Sequence, residues 1–447
     1  MNKSFSVLVK KKIKKFNQTI LVESDKSISH RALLISSQCI GRSVLSGVLE
    51  SNDVKNTILC LKNLGVKIIK SNKKYIIHGN GLSSFKIINN KKLYAGNSGT
   101  LARMLIALIA TQQNLKVKIY GDTSLNKRDM GRIIKPLAKI GCNFYPRGKM
   151  TLPLTVEGTS MPLAQNHIES IGSAQVKSAI LLSSLNTPGI TTIEEKKISR
   201  NHTENLLAAI KADIKVKKFK KENFISLKGQ KNLSGFNLEI PGDPSSAAPF
   251  IALTLLTPGS QLLIKNINCN PTRIGFIKIL KKMNAHIKIK NLKIKTGEAV
   301  GNIFVKSSSL KSIHCTKDLV PSAIDEFPLL FIIASITKGV SKFSGIGELR
   351  HKESDRIKSI EIVLKKIGIR TKSTKDSLKI FGNPEIKIKK NLIILPDNDH
   401  RVAMSFFCLA QLLGGNVKIN NFETVNTSFN KFLPFMKKIG AKYEIKK

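Results

Sequence analysis

The chain has 447 residues and a formal net charge of +46 at pH 7, from 75 Lys and Arg against 29 Asp and Glu. The chain is too long to fold around a single hydrophobic core of ordinary size, so we expect two domains. A hydrophobic fraction of 41% excludes a largely disordered chain. No apolar run reaches the roughly 18 residues that a membrane-spanning helix needs, so the sequence contains no candidate transmembrane helix.

The N-terminal segment, residues 1–15, is basic and lacks the apolar core of a signal peptide, so we expect a cytoplasmic protein. Its Ser6-Val-Leu-Val9 stretch predicts a short strand. We place one domain boundary just after this strand and another near Glu239-Ile-Pro-Gly-Asp-Pro244, where Pro and Gly interrupt the pattern before an apolar helix. The sequence therefore predicts a first lobe of residues 24–240 and a second lobe of residues 1–23 plus 241–447, with two crossing segments as a hinge.

A helix start is predicted at Ser24-Asp-Lys-Ser, where polar residues precede an apolar-periodic segment. Lys26, Ser27 and Arg31 lie in its opening turns. Free backbone N–H groups and the positive end of the helix dipole favour an anion at this position. A capped helix with surface cations would give the same pattern.

Two further helix starts follow along the chain. Ala95-Gly-Asn-Ser-Gly-Thr100 is a Gly-containing loop that lets the backbone approach a ligand closely, although it lacks the Gly-Lys-Ser/Thr ending of a P-loop. Ser173-Ala-Gln175 opens another apolar helix. Between them, the polar segment Tyr120–Met130 carries Arg128. Ordinary caps and turns would also explain these segments.

The second half of the chain contains three polar segments beside apolar helices. Asp325-Glu326 interrupts the apolar run 320–336, and a carboxylate there is costly unless it is paired or functional. Basic and acidic residues are concentrated in Glu348–Arg356. A surface helix stabilised by salt bridges would show the same composition. Asp397-Asn-Asp-His-Arg401 is a polar turn before an apolar helix.

One pattern recurs through the whole chain at intervals of 70 to 84 residues. An apolar helix end is followed by a turn residue and then by a Lys-rich strand. Gly or Asn at the turn suits the left-handed conformation that ends many helices, and Lys at one of the six positions departs from this rule. Such self-similarity predicts six structural repeats, three in each lobe. The six turn residues are Gly65, Gly141, Lys211, Asn284, Gly368 and Gly440.

Most of the positive charge comes from Lys that is spread through every segment. This distribution favours a solvated surface over a nucleic-acid footprint, which should cluster on one element. Arg is scarce, at 12 residues, and its fork binds carboxylate or phosphate in a bidentate way that Lys cannot match. The sequence therefore predicts a site for small phosphorylated anions. Half of the Arg residues lie in the segments above: Arg31, Arg103, Arg128, Arg350, Arg356 and Arg401.

The six Cys residues include no CxxC pair, and none lies beside a His at metal-ligand spacing. We therefore expect reduced, mostly buried thiols. We expect no metal and no cofactor. The residues concerned are Cys39, Cys60, Cys142, Cys269, Cys315 and Cys408.

Taken in order, these segments resemble the enolpyruvyl transferase family, and in particular its branch that uses 3-phosphoshikimate as acceptor. The resemblance covers nearly the whole chain, from Asp25-Lys-Ser-Ile-Ser-His-Arg31 to Asp399-His-Arg-Val-Ala-Met404. It implies an α/β fold of two globular domains, each of three βαβαββ repeats in an inside-out arrangement, joined by a two-strand hinge. It also implies transfer of the enolpyruvyl group of phosphoenolpyruvate to the shikimate 5-hydroxyl through a tetrahedral intermediate, with loss of phosphate.

The resemblance assigns roles to twelve residues. Asp325 would take the hydroxyl proton, and Glu353 with Lys26 would move a proton to and from the methylene carbon. Contacts to 3-phosphoshikimate are implied for Lys26, Ser27, Arg31, Ser173, Gln175, Asp325 and Lys352. Contacts to phosphoenolpyruvate are implied for Lys26, Gly99, Arg128, Gln175, Arg356 and Arg401.

The chain departs from the usual family pattern at several places, among them Glu348, where some members have Asn. Asp129 follows Arg128 where Pro is usual. Thr427-Ser-Phe-Asn430 stands where many members have Lys-Thr-Phe-Pro, so no contact is assigned to Thr427.

Two alternatives belong to different functional classes. The sister branch transfers enolpyruvate to UDP-N-acetylglucosamine and usually has a reactive Cys in the loop that corresponds to Gly121–Met130, where this chain has none. A basic nucleic-acid-binding protein would show affinity that falls steeply with salt. We expect neither a nucleic-acid nor a membrane partner, and we expect a monomer acting on two small substrates.

Overall fold

The computed structural model describes residues 4–388 and 391–446, which form two compact units. The first unit comprises Ser24–Pro241 and Ile294–Glu298. The second comprises the other described residues, namely those up to Glu23, Gly242–Lys293 and those from Ala299 onward. The predicted second lobe included Pro241 and residues 294–298, which belong to the first unit. Its residues 1–3, 389–390 and 447 lie outside the described part of the chain.

The chain begins in the second unit with strands β1 (Ser6–Val9) and β2 (Asn17–Ile20). It then builds the first unit from α1 (Lys26–Ser36), β3 (Ile40–Ser46), α2 (Asn52–Asn63), β4 (Lys67–Ser71), β5 (Lys74–Asn80), β6 (Lys92–Tyr94), α3 (Gly99–Ala110), β7 (Lys116–Tyr120), α4 (Thr123–Asn126), α5 (Gly131–Lys139), β8 (Asn143–Tyr145), β9 (Leu154–Glu157), β10 (Asn166–Glu169), α6 (Ala174–Ser184), β11 (Ile190–Glu195), α7 (His202–Ala209), β12 (Ile214–Phe219), β13 (Glu222–Lys228) and β14 (Asn237–Glu239).

The second unit continues with α8 (Pro244–Leu256), β15 (Gln261–Asn268), α9 (Gly275–Lys282), β16 (His286–Lys295), β17 (Glu298–Lys306), β18 (His314–Cys315), α10 (Val320–Ala323), α11 (Phe327–Ser335), β19 (Gly339–Ser344), α12 (Arg356–Lys366), β20 (Thr371–Ser373), β21 (Ser377–Gly382), β22 (Leu392–Ile394), α13 (His400–Leu413), β23 (Val417–Ile419), α14 (Phe432–Lys438) and β24 (Glu444–Lys446). Short 3-10 helices cover Lys317–Leu319, Gly347–His351 and Phe422–Thr427. No helix in the described ranges is long and apolar enough to cross a membrane.

Each unit holds three four-stranded sheets, and the strand order is repeated. The first unit has β14-β3-β5-β4, β6-β7-β9-β8 and β10-β11-β13-β12, and the second has β16-β17-β15-β2, β18-β19-β21-β20 and β22-β23-β1-β24. In β6-β7-β9-β8, for example, β6 and β7 are parallel, with Leu93 opposite Ile119, whereas β9 is antiparallel to both neighbours. The α/β fold with three repeats in each of two units is therefore confirmed.

The six repeat turns share one backbone conformation. Their φ angles are 86° at Gly65, 104° at Gly141, 62° at Lys211, 70° at Asn284, 89° at Gly368 and 91° at Gly440. The strand that follows each turn lies at one edge of its sheet: β4, β8, β12, β16, β20 and β24. Lys211 therefore departs from the pattern in residue type but not in geometry, at a strain of roughly 1–2 kcal/mol for a side chain in this region.

Two separate hydrophobic cores lie inside the units, one in each. Helices that are apolar on every side are buried on every side, as in α11, where all residues from Phe327 to Ser335 are buried. All six Cys residues are buried free thiols, as predicted.

A buried ion cluster joins α6, β11 and α7 in the first unit. Lys177 Nζ lies 2.6 Å from Glu195 Oε1 and 2.7 Å from Glu204 Oε1, and the three side chains are 0%, 0% and 3% exposed. Burial lowers the pKa of Lys177, but the two carboxylates outweigh it and raise that pKa above its ordinary value. The cluster fixes the start of α7 against α6.

Candidate active site

In the first unit, the three predicted helix starts are confirmed, and a side chain caps each one. Asp25 Oδ1 accepts from the N–H of Ile28 at 3.0 Å, and Ser98 Oγ accepts from Leu101 at 3.1 Å. Ser173 Oγ accepts from the N–H of Val176 at 3.4 Å. One cap satisfies only one of the free N–H groups of a helix start, so the others can face an anion. Lys26, Gly99 and Ala174 are the first residues of these helices.

Arg31 is held from three sides and is 2% exposed. Its Nε donates to Thr203 Oγ1 and its Nη2 donates to Ser178 Oγ, both at 2.8 Å. Its Nη1 donates to the carbonyl oxygen of Ser27 at 3.0 Å. These bonds fix the plane of the guanidinium one turn after the start of α1.

Burial and neighbouring charges act on Arg31 in opposite directions. Burial lowers the pKa of its guanidinium to about 10, an effect that Glu204, Asp25 and Glu298 oppose and that neighbouring Arg200 reinforces. Arg31 is still cationic at neutral pH. Since Arg200 repels it, a bound anion would relieve the repulsion between two guanidinium groups. Arg200 was not among the predicted site residues, and its place among the 12 Arg residues was the available signal.

Two further guanidinium groups lie beside Gly99. A Cβ atom at Gly99 would lie 2.6 Å from Nη1 of Arg103 and 3.5 Å from Nη1 of Arg128, so glycine leaves room for both. Arg103 donates to Gln175 Oε1 at 2.6 Å and to the carbonyl oxygen of Asp129 at 2.9 Å. Gln175 donates to Thr100 Oγ1 at 2.9 Å. Three of the predicted residues, Gly99, Arg128 and Gln175, are thus brought together around Arg103.

Arg128 is oriented by the polar loop in which it lies. Its Nη2 donates to Asn97 Oδ1 at 2.6 Å and to Ser124 Oγ at 3.3 Å. Asn97 is in turn held by Asp122 Oδ2 at 2.6 Å. Asp129, at the position of the usual Pro, accepts from the N–H of Gly131 at 2.9 Å. The carboxylate therefore shapes the turn into α5 by a hydrogen bond.

Lys26 and His30 connect α1 to its neighbours. Lys26 Nζ lies 3.1 Å from Asp53 Oδ2 on α2. His30 is fully buried, with Nδ1 at 2.7 Å from Thr57 Oγ1 and Nε2 at 3.4 Å from Ser98 Oγ. Burial, followed by the charges of Lys26 and Arg31, holds the pKa of His30 well below its ordinary value. The imidazole is therefore neutral in the folded protein.

A pH-dependent loss of stability follows from the neutral state of His30. Below about pH 6.5 the unfolded chain binds a proton at this residue that the folded state refuses, so the free energy of unfolding falls as the pH falls. His30→Asn removes this titration. The loss of stability between about pH 7 and about pH 5 should then be smaller than in wild type by up to roughly 2 kcal/mol. Urea unfolding at both pH values measures it. His314→Asn, at an exposed position, is the control, and parallel curves for wild type and His30→Asn would contradict the prediction.

In the second unit, three carboxylates surround Arg356, the first residue of α12, which is 1% exposed. Its Nε donates to Asp399 Oδ2 at 2.8 Å, its Nη2 donates to Glu353 Oε2 at 2.7 Å, and its Nη1 lies 3.6 Å from Asp325 Oδ1. Burial alone would lower the pKa of Arg356, but Asp399, Glu353 and Asp325 raise it above its ordinary value. Two predicted catalytic carboxylates, Asp325 and Glu353, therefore share one permanently charged partner.

Asp325 and Glu326 are adjacent in the chain but differ in their exposure to solvent and in their partners. Asp325 lies in the turn between α10 and α11 and is 22% exposed. Glu326 is buried, and its Oε1 lies 3.2 Å from Nη1 of Arg273 and accepts from the hydroxyl of Ser245. Arg273 also bonds to Asp243 at 2.9 Å. The neighbouring pair thus combines a structural carboxylate with one that solvent can reach. The sequence did not predict the role of Arg273, although a buried carboxylate such as Glu326 is costly without a cationic partner.

The remaining predicted residues of the second unit lie close to the N-terminal ends of α12 and α13. Lys352 follows the 3-10 helix Gly347–His351, and Arg401 is the second residue of α13. Arg350 donates to Asp355 Oδ2 at 2.8 Å and to the carbonyl oxygen of Thr374 at 2.7 Å, which is a supporting role. Thr427 donates to the carbonyl oxygen of Thr424 at 2.8 Å.

Chemically, the two groups of residues differ. The first unit presents fixed cations and free helix N–H groups, which suit anionic substrates. The second presents carboxylates whose orientation is fixed by a buried guanidinium, which suit proton transfer. Among the described residues, no group of three or more His, Cys, Asp or Glu side chains could hold a metal ion.

A family model described as EPSP synthase (3-phosphoshikimate 1-carboxyvinyltransferase) matches residues 10–436. The 3-phosphoshikimate 1-carboxyvinyltransferase of Zymomonas mobilis is 39% identical over 442 residues, or 98% of this chain and 97% of that protein. The one from Petrotoga mobilis is 41% identical over 429 residues, or 95% and 97%. The solved EPSP synthase from Acinetobacter baumannii has a TM-score of 0.86 and 36% identity, over 99% of this chain and 100% of that chain. The enolpyruvyl transferase NikO from Streptomyces tendae, at 11% identity and a TM-score of 0.76 over 99% of each chain, has a similar fold.

Proposed function

The chain belongs to the EPSP synthase family, and from this we propose how its two groups of site residues divide the work of the reaction. The enzyme is a 3-phosphoshikimate 1-carboxyvinyltransferase of the shikimate pathway, which leads to chorismate and the aromatic amino acids. It acts on two small molecules, phosphoenolpyruvate and 3-phosphoshikimate. The sister activity towards UDP-N-acetylglucosamine is not favoured, since the curated relatives are named for the shikimate reaction.

The first unit supplies most of the proposed contacts to 3-phosphoshikimate. The observation that carries the proposal is the buried, cationic Arg31, fixed beside the start of α1 and next to Arg200. A phosphate dianion matches both its charge and its fork. Ser27 and the free N–H groups of α1 add hydrogen bonds. The full proposed set is Lys26, Ser27, Arg31, Ser173 and Gln175 from the first unit, with Asp325 and Lys352 from the second.

For phosphoenolpyruvate, the proposed contacts centre on Gly99 and Arg128. The N-terminus of α3 and the Arg128 fork suit the phosphate or the carboxylate of this substrate. Because both substrates are multiply anionic, fixed cations must offset their mutual repulsion before they can react. The full proposed set is Lys26, Gly99, Arg128 and Gln175 from the first unit, with Arg356 and Arg401 from the second.

The proposed chemistry is addition followed by elimination. Asp325 accepts the proton of the shikimate 5-hydroxyl while the hydroxyl oxygen bonds to C2 of the enolpyruvyl group. At the same time, C3 of the enolpyruvyl group gains a proton from Glu353 or Lys26. The resulting tetrahedral intermediate loses phosphate as C3 returns a proton, which restores the double bond in the product. The partial exposure of Asp325 leaves its carboxylate within reach of the hydroxyl, and its 3.6 Å distance from Arg356 supports a fixed orientation for proton transfer.

Phosphate release tests this assignment. With phosphoenolpyruvate and 3-phosphoshikimate the enzyme should release phosphate, whereas with UDP-N-acetylglucosamine as acceptor it should not. Folded protein that shows no turnover with the shikimate acceptor would refute the assignment. Binding to nucleic acid that falls steeply with salt and ignores both substrates would support the basic-protein alternative.

Arg128→Lys tests the proposed bidentate contact, because it keeps the charge and loses the fork. A Lys ammonium is a point charge and cannot present the two parallel N–H groups with which a guanidinium holds a carboxylate or phosphate. We expect kcat/KM for phosphoenolpyruvate to fall more than roughly tenfold, or about 1.4 kcal/mol. Steady-state kinetics with this substrate varied measure the effect. Arg147→Lys, at an exposed position of the same unit, should behave like wild type, and a wild-type value for Arg128→Lys would rule out the bidentate contact.

A cytoplasmic location and a monomeric state remain predictions from the sequence. The biosynthetic role of the curated relatives is consistent with the location. Cell fractionation tests the first prediction, and sedimentation of the purified enzyme tests the second.

A further inference from the structure

The first unit contains a short segment from far along the chain, Ile294–Glu298. Glu298 Oε1 accepts from Nδ1 of His202 at 2.8 Å and from Nδ2 of Asn205 at 3.2 Å, although 96 residues separate Glu298 from His202. The two side chains of the His202–Glu298 pair are 1% and 6% exposed. At Gly297, with φ of 79°, a Cβ atom would lie 2.6 Å from the carbonyl oxygen of Asn205. The segment is therefore packed closely against α7.

The first turn of α7 is bonded at three consecutive residues. His202 bonds to Glu298, and Glu204 bonds to Lys177 at 2.7 Å. Between them, Thr203 accepts from Nε of Arg31 at 2.8 Å, and its hydroxyl lies 2.7 Å from that of Ser178. A shift of this turn would move the hydroxyl that orients Arg31.

We propose that Glu298 is a positioning residue for 3-phosphoshikimate: it holds the first turn of α7 through His202, so that Thr203 keeps Arg31 in its binding geometry. This inference rests on the proposed role of Arg31. Arg128, proposed for phosphoenolpyruvate alone, does not share this path, because Asn97 and Ser124 orient it instead. Loss of the Glu298 contact therefore weakens the binding of one substrate and spares the other.

A purely structural role predicts a different result. If Glu298 only stabilised the fold, its replacement would lower the melting temperature and the fraction of active enzyme. The two KM values would then stay as in wild type, since enzyme that is still folded would bind normally. The split between the two KM values separates positioning from stability.

The experiment measures steady-state kinetics of Glu298→Ala in the full chain, with each substrate varied in turn. KM for 3-phosphoshikimate should rise about tenfold, whereas KM for phosphoenolpyruvate and kcat should stay within about twofold, a difference of about 1.4 kcal/mol for one substrate alone. Glu298→Gln keeps an acceptor oxygen and should recover most of the affinity. His202→Ala breaks the same hydrogen bond from the other side and should reproduce the split even if Glu298→Ala fails to fold.

The matched control is Glu239→Gln, which alters another ion pair of the same segment. Glu239 pairs with Lys295 at 3.2 Å, and the side chains are 59% and 45% exposed. This variant should match wild type. Equal changes in both KM values, or no change in either, in the Glu298 and His202 variants would overturn the inference. Calorimetric titration with 3-phosphoshikimate alone gives the same comparison without turnover, so failure of the proposed reaction would be recognised separately.

Discussion

Replacing Asp325 by asparagine should lower kcat by roughly 10²–10⁴-fold, the usual contribution of a general base. Asparagine keeps the shape of the side chain but cannot accept the 5-hydroxyl proton. The neighbouring Glu326 cannot replace it, because that carboxylate is buried and bonded to Arg273 and Ser245. Phosphate release at saturating concentrations of both substrates measures the effect.

The control for this experiment is Asp318→Asn, an exposed carboxylate shortly before Asp325 in the chain, which should leave kcat unchanged. KM values for Asp325→Asn should change by far less than kcat, since the amide can still bond to the hydroxyl. A fall in kcat below about threefold would show that another group accepts the proton.

Replacing Lys177 by methionine should lower the free energy of unfolding by about 3–5 kcal/mol, because it leaves two buried carboxylates without their shared cation. Methionine has a similar length, so the loss reflects charge and not a cavity. Urea unfolding followed by circular dichroism measures it. The additional changes Glu195→Gln and Glu204→Gln should recover part of the stability by removing the stranded charges.

An exposed pair in the same unit provides the comparison for Lys177. Lys116 and Glu157 lie 3.1 Å apart, but their side chains are 57% and 33% exposed. Lys116→Met should therefore change the stability by less than about 1 kcal/mol. Equal losses for the two variants would mean that the buried cluster contributes no more than a surface pair.

The local features of the fold could be predicted because they depend on nearby residues. Polar or Gly-containing segments before apolar runs indicated the starts of α1, α3 and α6, because a helix start depends on residues within about three positions of each other. The six turns were found from the apolar helix end before them. Lys211 departs from the Gly or Asn usual at this turn, yet its φ of 62° lies in the same left-handed region as the others, because the helix and strand on either side impose the conformation.

The long-range pairings could not be predicted. An isolated carboxylate in an apolar run showed that Glu326 needed a partner, but Arg273 lies 53 residues away, and nothing local identified it. The same holds for Thr203 and Arg31, which lie 172 residues apart. Arg103, to which the sequence assigned no substrate contact, connects Gln175 with the loop of Asp129.

Five of the six edge strands that follow the repeat turns carry Lys, which gives the excess positive charge a physical consequence. An edge strand presents unpaired backbone groups, to which a second copy of the chain could add a strand of its own. The edge strand β12 carries Lys215, Lys217 and Lys218, and β16 carries Lys at four positions, whereas the short β8 carries none. Bringing two such edges together would bring like charges together, so the Lys residues oppose self-association and fibre growth. The charge that carries little information about the substrates therefore disfavours edge-to-edge pairing between copies of the chain.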